Sequence, residues 1–166
     1  MQQFVDRGLR SSLRVDPLDD HGAGEAVFAV GRRQRAGHDH GAGRHAAVRH
    51  LVALAVGPFE RSIATRCGPT EIRIWHVPGK GRLTGFALEA ARECLLRLER
   101  WFGLPYPYAK LDLVAAPDFE AGAMENAGAV FFRENLLLID PAAATLAEKK
   151  RAAEVICHEL AHMWYG

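Results

Sequence analysis

The chain has 166 residues, 49% of them hydrophobic and 25% charged, with a formal net charge of +1. That length suits one domain of ordinary size, and a near-neutral balance gives no electrostatic basis for binding nucleic acid or an anionic membrane surface. Cys67, Cys94 and Cys157 lack C-x-x-C spacing and are too few for a disulfide framework, and no apolar run is long enough to span a bilayer or form a signal-peptide core. Together these features predict a soluble, cytoplasmic protein.

Residues 1–49 carry no sustained period of 2 or 3.6. Histidines crowd this end of the chain, at His21, His38, His40, His45 and His50, among Gly, Arg and Ala. The stretch is expected to be poorly ordered, with a weak metal-binding or basic arm as the alternative. Its composition also fits a shifted reading frame in a GC-rich gene, which resequencing the locus checks.

From Leu51 the text becomes globular. Leu51–Val56 and Glu71–Val77 read as strands with Gly68-Pro69 between them, and Pro78-Gly79-Lys80-Gly81 is a turn cluster that marks a domain junction. A helix follows, because Leu83, Ala87, Ala90, Ala91, Cys94, Leu98 and Trp101 recur at three- and four-residue steps. This apolar stripe is a core-packing face, and Arg92, Glu93, Arg97, Glu99 and Arg100 form its solvated side. Gly103 and Pro105 end the helix. Leu111–Ala116, Ala129–Phe132 and Leu136–Ile139 read as further strands. Between the first two lies Gly122-Ala123-Met124-Glu125-Asn126, a glycine-bounded loop with one acid. A solvated turn is the plain reading. A carboxylate on a loop between buried strands also suits capture of a cationic group in a cleft.

The last element is the most informative. Thr145 and Glu148 have capping-box spacing and open a helix that ends in His158-Glu159-Leu160-Ala161-His162. At 100° per residue, His162 falls roughly 40° from His158 and Glu159 roughly 100° from it. Ile156, Leu160, Met163 and Trp164 occupy the apolar arc, and Cys157 reads as a small core residue. Two imidazoles on one helix face with a carboxylate beside the first suit zinc ligation by His158 and His162, with Glu159 as a general base.

The two motifs, in this order and 33 residues apart from Glu125 to His158, resemble the aminopeptidase N (membrane alanyl aminopeptidase) family of zinc peptidases. The likeness begins near Leu51. It includes Val56-Gly57-Pro58-Phe59-Glu60, Phe102-Gly103-Leu104-Pro105-Tyr106-Pro107, Lys110-Leu111-Asp112-Leu113-Val114 and Pro117-Asp118-Phe119, and it runs through the loop to His158–Gly166. The resemblance implies an α+β fold: residues 50–79 as the end of an N-terminal β domain, and 80–166 as the first half of a thermolysin-like catalytic domain. It implies Zn2+ on His158 and His162, with Glu159 as base. Glu125 would bind the free amino terminus of a peptide substrate, flanked by Met124 and Asn126, and the Gly122 and Ala123 backbone would line the peptide path.

Two positions depart from the family pattern. Ala127 stands where relatives carry an aromatic, and Met163 replaces a polar residue. The family's third ligand, a glutamate roughly eighteen residues after the second imidazole, and its tyrosine for the tetrahedral intermediate fall past Gly166. The 166 residues alone are therefore expected to be inactive. The alternatives are an epoxide hydrolase of the same superfamily, against which Ala123 in the loop counts, a non-catalytic scaffold, and an endopeptidase should Glu125 not reach the cleft. Oligomeric state is not specified by any of these features.

Overall fold

The computed structural model describes residues 25–30 and 53–165. Two strands, β1 (Glu25–Val30) and β2 (Ala53–Pro58), form an antiparallel pair with Glu25 opposite Pro58 and Val30 opposite Ala53. β1 falls inside the stretch read from sequence as lacking an element; a six-residue strand is too short to impose a period on its surroundings. The rest of residues 1–49, including the order and the histidines expected there, lies outside the described residues, as do Leu51, Val52 and Gly166.

The main sheet holds β3 (Glu60–Arg61), β4 (Thr65–Cys67), β5 (Thr70–His76), β6 (Lys110–Ala116), β7 (Ala123–Met124) and β8 (Ala129–Arg133). Its order is β3-β5-β6-β8-β7, with β4 also paired to β5. β5, β6 and β8 run parallel, and β3, β4 and β7 run antiparallel to their neighbours, so the sheet is mixed. The junction expected at residues 79–80 lies between two strands of this sheet. β5 lies before that turn and β6 after it, yet they are hydrogen-bonded neighbours joined through α1 (Gly85–Phe102). A turn cluster in sequence marks a change of direction, and here it leads into a strand–helix–strand crossover.

The central strand is buried on both faces, which is why it reads as a continuous apolar run. Leu111, Leu113 and Ala115 point to one side, where Ile72, Ile74, Val130 and Phe132 meet Ala87, Leu88, Ala91 and Leu95 of α1. Val114 points to the other side, against Phe59, Trp75 and Phe131. Asp112 shares that second side and is also buried; the Trp75 indole donates to its Oδ1 at 2.9 Å, and the Lys110 ammonium donates to its Oδ2.

α1 ends at Gly103, whose φ of 63° is the left-handed conformation that glycine adopts without strain. Trp101, expected in the core, is 85% exposed. The buried residues Leu88, Ala91 and Leu95 continue at helical steps to Leu98 and Phe102, which leaves Trp101 off that face. The run Leu136–Ile139, expected as a strand, instead begins in α2 (Glu134–Leu137), a single turn closed by Leu138 N–H donating to Glu134 at 2.8 Å. Ile139 N–H then bonds the Leu83 carbonyl at 3.0 Å. A short apolar run without alternation does not discriminate between buried strand and buried turn.

α3 (Leu146–Ala161) carries the two-histidine motif. Its capping box is formed as read from sequence: Glu148 N–H donates to Thr145 Oγ1 at 3.2 Å and Thr145 N–H donates to Glu148 Oε2 at 2.7 Å. Thr145→Ala removes an N-cap acceptor and should lower stability by about 1 kcal/mol in urea denaturation; an unchanged midpoint would show that the tertiary contacts alone hold the helix. No helix among the described residues is long and apolar enough to cross a membrane.

Candidate active site

Two supports bring the site together. The first is α3, which packs on α1 and also touches β7. Val155, Ile156 and Leu160 are buried in the main core, which turns His158 outward while Glu159 is only 7% exposed. Past the helix end, Trp164 is fixed by aromatic contacts. It stacks on Phe102 with ring centroids 5.5 Å apart, meets Tyr106 edge-on, and donates its indole N–H to the Leu104 carbonyl at 3.2 Å. The last turn, which contains His162, is thus held between the helix and this clamp.

The second support is the hairpin β7–β8, in which Ala123 pairs with Phe132 and Met124 with Phe131. Glu125 begins its turn and Gly128 closes it with a φ of 75°. Ala129 N–H donates to the Asn126 carbonyl at 3.1 Å, and Gly128 accepts from Asp112 N–H at 3.0 Å, which ties the turn to β6. Arg133 N–H bonds the Gly122 carbonyl at 2.8 Å, and the Arg133 side chain donates to the Phe119 and Glu120 carbonyls. The loop that reads as a solvated turn is therefore anchored on both sides. Asn126 and Ala127 are buried, and Ala127 packs with Ala129 beside Tyr108.

The side chains singled out from sequence converge. His158 Nε2 and His162 Nε2 are 3.2 Å apart, with the two rings nearly perpendicular. Donors at zinc–nitrogen bond lengths on two corners of a tetrahedron lie about 3.3 Å apart, so this spacing matches one ion held by both rings. His162 Nδ1 is buried with no hydrogen-bond partner. Ligand atoms of Glu125, Glu159 and His162 lie within 4.8 Å of one another. That trio is a second way to surround a cation, but the closer spacing belongs to the imidazole pair, and neutral nitrogen donors suit a borderline-soft ion.

Burial raises the Glu159 carboxyl above the usual carboxylate value. The imidazole of His158 opposes the shift, the Glu125 carboxylate adds to it, and His162 opposes it. A carboxyl biased toward holding a proton is suited to proton transfer.

Met124 and Ala123 are half-buried in β7, and Gly122 lies just before it at the surface. The aromatic clamp of Trp164, Phe102 and Tyr106 was not visible in the sequence. Its partners are some sixty residues apart, and no local rule joins the Phe102–Pro107 segment to Trp164. Also unforeseen is a pair of thiols next to the site. Mutual interaction of Cys94 on α1 with Cys157 on α3 holds the Cys94 thiol above, and the Cys157 thiol below, the ordinary thiol value.

Residues 86–166 match the peptidase family M1 domain. The chain is 44% identical over 117 residues to puromycin-sensitive aminopeptidase of Caenorhabditis elegans, a match covering 70% of this chain and 12% of that protein. It is 44% identical over the same length to aminopeptidase M1-A of Oryza sativa subsp. japonica (70% of this chain, 13% of that protein). Against endoplasmic reticulum aminopeptidase 2 of Bos taurus the identity is 43% over 117 residues (70% and 12%). The chain thus spans about an eighth of the length of these relatives. The two-histidine helix and the anchored acidic loop both lie within residues 86–166, the segment that matches the peptidase family M1 domain.

Proposed function

We propose that this chain supplies the metal helix and the amino-terminus-reading loop of a zinc-dependent aminopeptidase with a thermolysin-like catalytic domain. The observation that supports it most is the proximity of Glu125 to Glu159 and His162, whose ligand atoms lie within 4.8 Å of one another. In this reading His158 and His162 hold zinc. When bound there, zinc lowers the pKa of a water and polarises the scissile carbonyl. Glu159 takes the proton from the attacking water and delivers it to the departing amine. Glu125 pairs with the ammonium group of the substrate, so that only the first peptide bond reaches Glu159. A general peptidase becomes an exopeptidase through that one charge pair.

A catalytic zinc site takes three protein ligands, and the two imidazoles are two of them. In this reading the family's glutamate is the third, and the 166 residues alone bind zinc loosely and turn over no peptide. The test is a chimera in which residues 86–166 replace the matching segment of a full-length relative. It is expected to release the first residue of a peptide amide, to cleave the same peptide acetylated at its amino terminus far more slowly, and to lose activity to a chelator with recovery on adding zinc. Equally fast cleavage of the acetylated peptide would refute the amino-terminal role of Glu125. Faster turnover of a lipid epoxide than of an aminoacyl-anilide would favour the hydrolase alternative.

A further inference from the structure

We propose that Trp164 is a positioning residue for His162: its aromatic clamp, rather than the body of α3, sets where the second imidazole of the metal pair stands. This rests on the zinc reading above and adds to it a division of labour between the two rings. His158 lies inside α3, among the buried residues Val155, Ile156, Glu159 and Leu160, so regular helix and core fix its backbone. His162 lies one residue past the last residue of α3. There Met163 N–H bonds the Leu160 carbonyl and Trp164 N–H the Ala161 carbonyl, each at 3.1 Å. These are three-residue steps, the weaker bonding of a helix end. A metal-bound imidazole is ordinarily oriented by a hydrogen bond from its other ring nitrogen. His162 Nδ1 is buried and makes none among the described residues. The direction of this ring is therefore inherited from the backbone of the turn.

That turn is anchored two residues further on. Trp164 packs against the main core, stacks on Phe102 with the ring planes 15° apart, and meets Tyr106 edge-on with centroids 5.8 Å apart. Its indole N–H adds a bond to the Leu104 carbonyl. Offset-stacked and edge-on pairs are directional, so they fix an angle as well as a distance. The receiving side is itself held, because Tyr106 N–H donates to Glu99 Oε1 of α1 at 2.8 Å. α1 thus reaches His162 through Phe102 directly and through Glu99 and Tyr106. Releasing Trp164 should leave His158 in place and loosen His162, so the 3.2 Å spacing of the pair is lost before the fold is. Trp101 supplies a control of the same residue type: it adjoins Phe102 and is 85% exposed.

Zinc is titrated into the full 166-residue chain, and the ring nitrogens of His158 and His162, individually assigned, are followed in long-range proton–nitrogen spectra. In the wild-type chain both Nε2 signals should shift together. In Trp164→Leu, half-saturation should need about 10- to 100-fold more zinc, the loss that follows removal of a group supporting a metal ligand. At saturation the His158 shift should persist while the His162 shift falls to a minor fraction of its wild-type size. Phe102→Leu, which removes the stack from the α1 side, should give the same selective loss, and it decides the matter if Trp164→Leu folds poorly. Trp101→Leu should match the wild type. Amide signals of β5, β6 and β8 in the same samples report that the fold is kept. Full shifts of both rings in the folded variants, or equal losses from both rings, would overturn the positioning role. A wild-type chain in which neither ring moves would overturn the zinc reading, and this assignment with it.

Discussion

Glu159→Gln is expected to lower kcat for peptide-amide hydrolysis by about 10²- to 10⁴-fold, the range that a positioned general base contributes, while the zinc content of the chimera stays unchanged. The substitution keeps the shape of the side chain and removes its ability to accept a proton. Glu159 is nearly enclosed on α3, one residue past His158, so a near-isosteric amide should leave the ligand positions undisturbed. The measurement is single-turnover hydrolysis with metal analysis on the same sample. Near-normal turnover would show that another group moves the proton. Loss of zinc together with activity would place Glu159 among the ligands, which the Glu125, Glu159 and His162 grouping allows on distance alone.

Glu125→Ala should produce a different signature. A charge-assisted hydrogen bond is worth about 1.5–3 kcal/mol, which corresponds to roughly a 10- to 100-fold fall in kcat/KM for a peptide with a free amino terminus. Acetylated peptides never made that contact, so they should lose little, and the discrimination between free and blocked substrates should shrink by the same factor. The hairpin that carries Glu125 is held by backbone hydrogen bonds and by Arg133, neither of which involves the Glu125 side chain. Equal losses on both substrates would mean that the residue acts on the loop or the metal site rather than on the substrate terminus.

What was legible in the sequence was what depends on neighbours along the chain. The capping box at Thr145 and Glu148, the glycine stop at Gly103, and the strands around Leu113 and Phe131 all follow from local rules, and the structure contains them. The convergence of His158 and His162 was equally local, since one helical turn places them together. What could not be read was set by pairing across distance. The β5–β6 hydrogen bonds join strands that lie on either side of the Pro78–Gly81 turn cluster. The turn at Glu134–Leu137 is decided by what lies above and below it rather than by its own apolar letters. Cys94 and Cys157 are 63 positions apart, and no spacing rule links them. Glu125 is intermediate between these cases. Its importance was suggested by a motif, but its closeness to Glu159 depends on β7 meeting α3.

The helix bearing the two imidazoles is secured at its start by Thr145 and Glu148 and past its end by the Trp164 stack, and neither attachment uses a cation. The backbone beneath both rings is thus fixed by the packing of the chain itself, which reduces the conformational freedom that a proposed ion would have to remove. In a zinc finger, by contrast, loading the metal is inseparable from acquiring shape. In the proposed reading, exchanging one divalent ion for another is expected to retune the chemistry without rebuilding the scaffold.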